Sequence, residues 1–267
     1  MIIDAHTHIF PDNLAERALE KLSAIGGIPV HSDGRADSLV DNMKQNGVDY
    51  SVVLNIATNP GQVNNVNAFA LYIKENYTNL IPFGSLHPQS EGVRTTVKTL
   101  KDSGIKGIKL HPDYVKTAVD DSGFTPIFAA AAEMDMPVVI HTGYDFISPD
   151  FIHASPEAIL KVIKRFPELK LVCAHFGGNL HWDKVIRELC GTKLYFDTAL
   201  ACERFGMTRK TAETIIANHD EERILFGSDM PWCESSAVRD FILSLDISDE
   251  KKDRILYKNA QKLLGIE

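Results

Sequence analysis

Two histidines, His6 and His8, stand two positions apart in the opening run MIIDAHTHIF. Along an extended strand successive side chains alternate faces, so both imidazoles point the same way while Thr7 points away. Such a pair at the end of an apolar run can hold a metal ion. The same pattern also occurs as a solvated strand end or as a hydrogen-bonded pair in a core. Four more histidines, His87, His111, His141 and His175, close apolar runs further along, as do Lys109, Asp197 and Asp229. A buried imidazole needs a partner for each ring nitrogen. Gathering six imidazoles and two carboxylates at one mouth is costly unless a metal or a substrate satisfies them, and the chemistry they offer is metal binding with proton transfer beside it. The other four histidines, His31, His153, His181 and His219, fall in expected loops or helices.

The elements that would gather these groups are visible as eight short apolar runs: IIDAH, DYSVVLNIA, LIPFGSLHP, KGIKLHP, MPVVIHTG, LKLVCAHFGG, TKLYFDTAL and RILFGSDMPW. They are rich in Val, Ile and Leu and nearly continuous, as strands buried on both faces are in a parallel sheet covered by helices. Between them lie stretches of helical period such as EGVRTTVKTLKDSG, SPEAILKVIKRFPE and SSAVRDFILSLD, several with Ser, Thr or Pro at the start or Gly near the end. The longest connection, residues 11 to 48, has a Gly-Gly-Ile-Pro break and one charged helix, DSLVDNMKQNG, and the segment DEKKDRILYKNAQKLLG reads as a closing helix on the outside. Strand and helix alternate throughout, which predicts an α/β fold, a (β/α)8 TIM barrel forming a single domain over residues 1–267. A doubly wound open sheet is the competing fold, but no Gly-rich phosphate loop follows the first strand. In a barrel the carboxyl ends of the strands converge on one face, and the histidines, Lys109, Asp197 and Asp229 all sit at those ends.

Composition narrows the function classes. The chain has 44% apolar and 24% charged residues, a net charge of −8 and a pI near 5.7. That balance opposes a nucleic-acid surface, which needs clustered Lys and Arg. No apolar run approaches a membrane span and no basic, apolar leader opens the sequence, so a cytoplasmic location is expected. The four cysteines, Cys173, Cys190, Cys202 and Cys233, have no C-x-x-C spacing and are expected to be free thiols. Association into a homodimer is expected by base rate alone.

The motifs D-A-H-T-H, G-I-K-L-H-P, I-H-T-G, A-H-F-G-G and G-S-D-M-P-W, in this order and across essentially the whole chain, resemble the amidohydrolase superfamily. The pattern is most similar to the amidohydrolase-2 branch, which includes aminocarboxymuconate-semialdehyde decarboxylase and related lactonases and decarboxylases. The resemblance implies that His6, His8, His141 and Asp229 ligate a divalent metal, most often zinc, leaving positions open for water. It implies that His175 stands beside the metal as a base or polarising group. One ion is favoured; two would follow if Lys109 were carboxylated to bridge them. Lys109 and His111 are candidate substrate contacts, with His111 alternatively capping a turn before Pro112. His87 is a candidate pocket wall. Asp197 reads as a partner of a metal ligand or a loop anchor. Arg204 could grip a substrate carboxylate and Trp232 could line the pocket, though a surface site and core packing respectively serve as well.

The function expected on this basis is metal-dependent hydrolysis of a small molecule, with activated water attacking an amide, ester or lactone carbonyl and Asp229 as proton shuttle. The same residues could instead support non-oxidative decarboxylation of an unsaturated or aromatic carboxylic acid. A noncatalytic protein that binds a metal or small molecule is the remote alternative.

Overall fold

The computed structural model describes residues 1–266; Glu267 lies outside the described residues. Eight parallel strands follow one another in chain order: β1 (Ile3–Thr7), β2 (Tyr50–Leu54), β3 (Leu80–Ser85), β4 (Ile108–Leu110), β5 (Val138–Ile140), β6 (Leu171–Cys173), β7 (Tyr195–Asp197) and β8 (Ile224–Leu225). The ring closes where Ala5 N donates to Phe226 O at 2.7 Å, His8 N donates to Met230 O at 2.7 Å, and Thr7 bridges Met230. Sequential order with closure is the predicted barrel and excludes the open doubly wound sheet. Among the described residues no helix is long and apolar enough to cross a membrane.

β1, β4, β5, β6 and β8 are continuously buried and the other strands nearly so, because each faces other strands on one side and helices on the other. One cluster, with Val52, Leu54, Phe83, Val139, Val172 and Leu225, draws on strands all round the ring. A larger one, including Ile108, Ile140, Leu171, Phe196 and Phe226, binds the sheet to its helices. The helices are α1 (Asp12–Gly26), α2 (Ala36–Asn46), α3 (Val63–Asn76), α4 (Val93–Asp102), α5 (Thr125–Glu133), α6 (Pro156–Arg165), α7 (Trp182–Glu188), α8 (Arg209–Asn218) and α9 (Ser235–Ser244). Their starts follow the expected chemistry: the hydroxyl of Ser155 accepts Ala158 N–H ahead of Pro156, and Thr208 accepts Thr211 N–H. Last come α10 (Asp249–Asp253), a π-helical turn at Arg254–Lys258 and α11 (Asn259–Leu264), the closing helix, which lies against β1 and β8.

Two differences from the sequence reading stand out. The connection from residue 11 to 48 holds two helices, not one: α1 buries only Ala15 and Leu19, too narrow an apolar stripe to declare itself by period. The later strands are shorter than their apolar runs. TKLYFDTAL supplies only Tyr195–Asp197 and RILFGSDMPW only Ile224–Leu225, because beyond those points the backbone leaves the sheet to present side chains at the mouth.

Candidate active site

β1 carries its pair of histidines to the mouth through an irregular register between Asp4 and Thr7, where β1 contributes one more residue than β2. Thr7 turns away and its hydroxyl donates to Val52 O at 2.8 Å. His6 and His8 converge, with their Nε2 atoms 3.2 Å apart. The Asp229 Oδ1 joins them, 3.1 Å from His8 Nε2 and 3.4 Å from His6 Nε2. Each ring is oriented from behind. His6 Nδ1 lies 2.7 Å from Asp197 Oδ2, and His8 Nδ1 lies 2.8 Å from Leu54 O.

This wiring decides what the trio can do. A carbonyl oxygen only accepts, so His8 Nδ1 carries the proton, and the Asp197 carboxylate draws the His6 proton to Nδ1 in the same way. Both Nε2 lone pairs then face each other and a carboxylate oxygen. That arrangement is repulsive unless a cation sits among them; the Lys109 ammonium reaches His6 Nε2 at 3.3 Å, and a proton or a metal ion is needed to satisfy His8 Nε2 and Asp229 Oδ1 as well. Burial, followed by the charge of Lys109, pushes His6 well below the ordinary imidazole range, which disfavours the proton. Burial also opposes charge on Asp229, but at low pH, where the imidazoles take up protons, His6 and His8 outweigh it and hold the carboxyl well below the usual range, so the carboxylate is already ionised when the rings are neutral. Around a tetrahedral zinc with Zn–N near 2.0–2.1 Å, ligand atoms stand about 3.3 Å apart. The observed 3.1–3.4 Å edges fit one face of such a shell.

A second trio stands beside the first. His111 Nε2 and His141 Nε2 each lie 3.5 Å from Asp145 Oδ2, and the two rings stack at 4.4 Å. The expected fourth ligand, His141, thus stands outside the close trio, in contact with His175 on its other side. His175 Nδ1 donates to Ala199 O at 3.1 Å, so its Nε2 accepts from His141 Nδ1 at 3.0 Å. His141 Nε2 is left as a buried lone pair with no hydrogen-bond partner, the state in which an imidazole binds a metal. Burial lowers both His141 and His175 to about 4, so both are neutral at physiological pH. Burial is also the main cause that raises Asp145 to about 6 and depresses His111.

Lys109 points from β4 into this space, 1% exposed, with Nζ 3.3 Å from His6 Nε2. Burial lowers its amine to about 8, against the pull of Asp197 and Asp229. His111 does not cap its turn through the ring, since its Nδ1 has no partner. His87 is absorbed into local structure instead, its Nδ1 accepting Gln89 N–H at 3.1 Å. Arg204 is exposed, on the turn Glu203–Phe205, and lines an outer cleft with His31 and Glu234. Trp232 is half-buried against the core, and its backbone N–H donates to Asp229 O at 2.8 Å.

The backbone pays for this presentation with strain. His175 has φ 59° and Asp229 φ 73°, a region that costs a side-chain-bearing residue about 1–3 kcal/mol. His175 is held there by its N–H on Asp197 Oδ1 and by the Trp182 indole, which donates to His175 O. Asp229 is held by its N–H on His6 O at 2.8 Å. Two glycines permit the close approaches: a Cβ on Gly227 would stand 2.8 Å from His6 Cβ, and one on Gly143 would stand 2.2 Å from Asn179 N.

Two carboxylates that the sequence reading missed complete the site. Asp4, fully buried, accepts His6 N–H and Ser228 N–H on Oδ1 and the Ser228 and Ser235 hydroxyls on Oδ2. It ties β1 to the turn that presents Asp229, and burial raises it to about 6. Its signal was spacing, two residues before His6 in the same D-A-H-T-H run. Asp145 has a weaker one, four residues after His141 in a loop.

A family model described as amidohydrolase matches residues 3–266. The chain belongs to the amidohydrolase family. This amidohydrolase is an enzyme of a family whose chemistry depends on a divalent metal, and the bare nitrogens at its mouth suit that cofactor. Three solved structures illustrate the shared fold. The 5-carboxyvanillate decarboxylase of Sphingomonas paucimobilis is 16% identical, with a TM-score of 0.66 and coverage of 100% of this chain and 99% of that one. A dihydroxybenzoic acid decarboxylase from a Polaromonas species, holding manganese and the inhibitor 2-nitroresorcinol, is 16% identical, with a TM-score of 0.73 and coverage of 99% and 97%. The 4-oxalomesaconate hydratase of Rhodopseudomonas palustris is 19% identical, with a TM-score of 0.66 and coverage of 99% and 96%. Among curated proteins none matches the chain.

Proposed function

We propose that this amidohydrolase is a metal-dependent, non-oxidative decarboxylase of a small aromatic or unsaturated carboxylic acid. The observation that carries the metal-dependent part is the convergence of His6 Nε2, His8 Nε2 and Asp229 Oδ1 with both Nδ1 atoms already spent. The choice of reaction is supported by the similar structures, two of them decarboxylases of aromatic acids and one a hydratase of an unsaturated acid. They favour decarboxylation over the hydrolysis of an amide, ester or lactone expected from the sequence.

In this reading His6, His8, His141 and Asp229 hold the ion, which is zinc by donor type or manganese as in the similar decarboxylase. When bound, it supplies positive charge that orients the substrate's oxygens and stabilises negative charge as carbon dioxide leaves. Lys109, a buried cation beside His6, meets the substrate's anionic oxygen, and His111 packs against its ring. Arg204 and Trp232 contact the outer end of the substrate at the rim. The proton that must replace the lost carboxyl on carbon comes from solvent and is relayed by Asp229 and His175, whose ring is locked by Ala199 O while its Nε2 accepts from His141 Nδ1. The four thiols are all free, which suits a cytoplasmic setting.

The test is a panel of hydroxybenzoates and unsaturated carboxylic acids assayed for carbon dioxide release, run beside esters, lactones and amides, after loading with zinc or manganese. Turnover of the acids with stoichiometric carbon dioxide supports the proposal. Turnover confined to the esters, lactones or amides overturns it in favour of hydrolysis.

A further inference from the structure

Away from the imidazoles, two of the four cysteines come together. Cys202 lies beyond β7 and Cys233 beyond β8, with their Sγ atoms 3.9 Å apart. A disulfide bond is about 2.05 Å long, so roughly 1.9 Å of approach separates the pair from bonding distance. Both residues are buried, and both line a cleft of about 390 Å³ shared with His31, Arg204 and Glu234.

The two sulfurs are not equivalent. The contact with Cys233 is the largest influence on Cys202, and burial opposes it. The N–H groups of Phe205 and Arg204 and the Arg204 guanidinium add to the pull, and the net effect is a thiol held below its ordinary range. The same contact pushes Cys233 up. Cys233 Sγ also lies 3.8 Å from Glu234 O, an acceptor for its S–H, while the Arg204 guanidinium favours negative charge on Cys202; Cys202 is therefore suited to attack and Cys233 to resolve.

We propose that Cys202 and Cys233 form a dithiol site that reacts with low-molecular-weight disulfides and closes to an intramolecular disulfide. The Cys202 thiolate attacks one sulfur of the reagent R–S–S–R, making a mixed disulfide and expelling RS⁻. That thiolate takes the Cys233 proton, and Cys233 then attacks Cys202 Sγ and expels the second RS⁻. The protein dithiol loses two electrons and the reagent gains them, leaving one RSH and one RS⁻. The bridge joins the loop that carries Arg204 to the turn that carries Asp229 and Trp232. It does not depend on which reaction the site performs.

The full-length folded protein, incubated with oxidised glutathione, tests this. Four titratable thiols are expected to fall to two, with a mass loss of two hydrogens, a peptide cross-link between Cys202 and Cys233, and full reversal by a reductant. In Cys233→Ser, Cys202 is expected to keep a stable glutathione adduct, formed about tenfold or more faster than on Cys173 or Cys190. Retention of all four thiols in the wild type, a glutathione adduct that persists without the cross-link, or first reaction at Cys190 overturns the proposal. The peptide map of the wild type decides even where a serine variant fails to fold.

Discussion

The two His–Asp trios at the mouth are built from the same residue types and differ in how they are held. In the first, both imidazoles are pinned from behind, His6 by Asp197 and His8 by Leu54 O, and the carboxylate sits on a strained turn tied to β1. In the second, His141 is pinned by His175, but His111 Nδ1 has no partner and Asp145 rides a loop after β5. Orientation from behind raises ligand basicity and fixes geometry, which is what a resident ion requires. A trio with spare hydrogen-bonding capacity is suited to groups that arrive and leave with the substrate. On the proposed reading the first trio serves the ion and the second the interface between ion and substrate, with His141 common to both.

Removing the first trio's charge breaks this division most severely. Asp229→Asn is expected to lose bound metal and to lower turnover by about 10³-fold or more, read by elemental analysis and steady-state assay on the same preparation. Wild-type metal content with wild-type turnover would remove Asp229 from the centre. Asp197→Asn tests the pinning itself. It leaves every ligand atom in place but replaces one carboxylate oxygen by an amide, and metal affinity is expected to fall roughly 10–100-fold. An unchanged dissociation constant would mean that orientation from behind does not distinguish the two trios.

The barrel and the residues at the mouth were legible because both follow from local pattern: buried parallel strands read as unbroken apolar runs, and a histidine or carboxylate that ends such a run must stand at the carboxyl face. Asp197 was legible as a partner, and it serves both as the partner of His6 and as the anchor of His175 N–H. What escaped the sequence depends on contacts between distant segments. Asp4 matters because Ser228 and Ser235, more than two hundred residues away, meet it across the barrel seam. Asp145 matters because the loop after β5 folds back over His111. The division of His141 from the close trio is likewise a property of loop geometry, which no spacing along the chain encodes. α1 escaped because its buried stripe is only two residues wide.

A smaller effect sharpens the second trio. Asp145→Asn keeps the shape and removes the charge that His111 and His141 share. Metal content is expected to hold within about twofold while turnover falls roughly 10–100-fold, the scale of one hydrogen bond to a charged group. If this variant loses metal as readily as Asp197→Asn, the two trios are one site and the contrast between them fails.

The smallest expected effect is in the pH dependence of metal retention. A free imidazole titrates near 6.5, so an exposed histidine site releases its metal as the pH falls through that value. Burial lowers His141 and His175 to about 4. In the folded protein these rings therefore stay neutral, and His141 stays able to ligate, over the window from 6.5 down towards 4 in which unfolded rings would already be protonated. The sign is that of a depressed base: the native contribution is complete above 6.5 and is lost as the pH falls towards 4. Asp4 and Asp145, raised to about 6, take up protons in the folded state across the same window and offset part of that loss in overall stability, but neither belongs to the close trio. Metal measured after dialysis at graded pH should accordingly show a release midpoint below 6.5 in the wild type and in Asp145→Asn. In Asp197→Asn, where His6 has lost its anchoring carboxylate, the midpoint should move upward. A wild-type midpoint at or above 6.5 would mean that burial does not protect the ligands, and the separation of a pinned trio from a free one would lose its electrostatic basis.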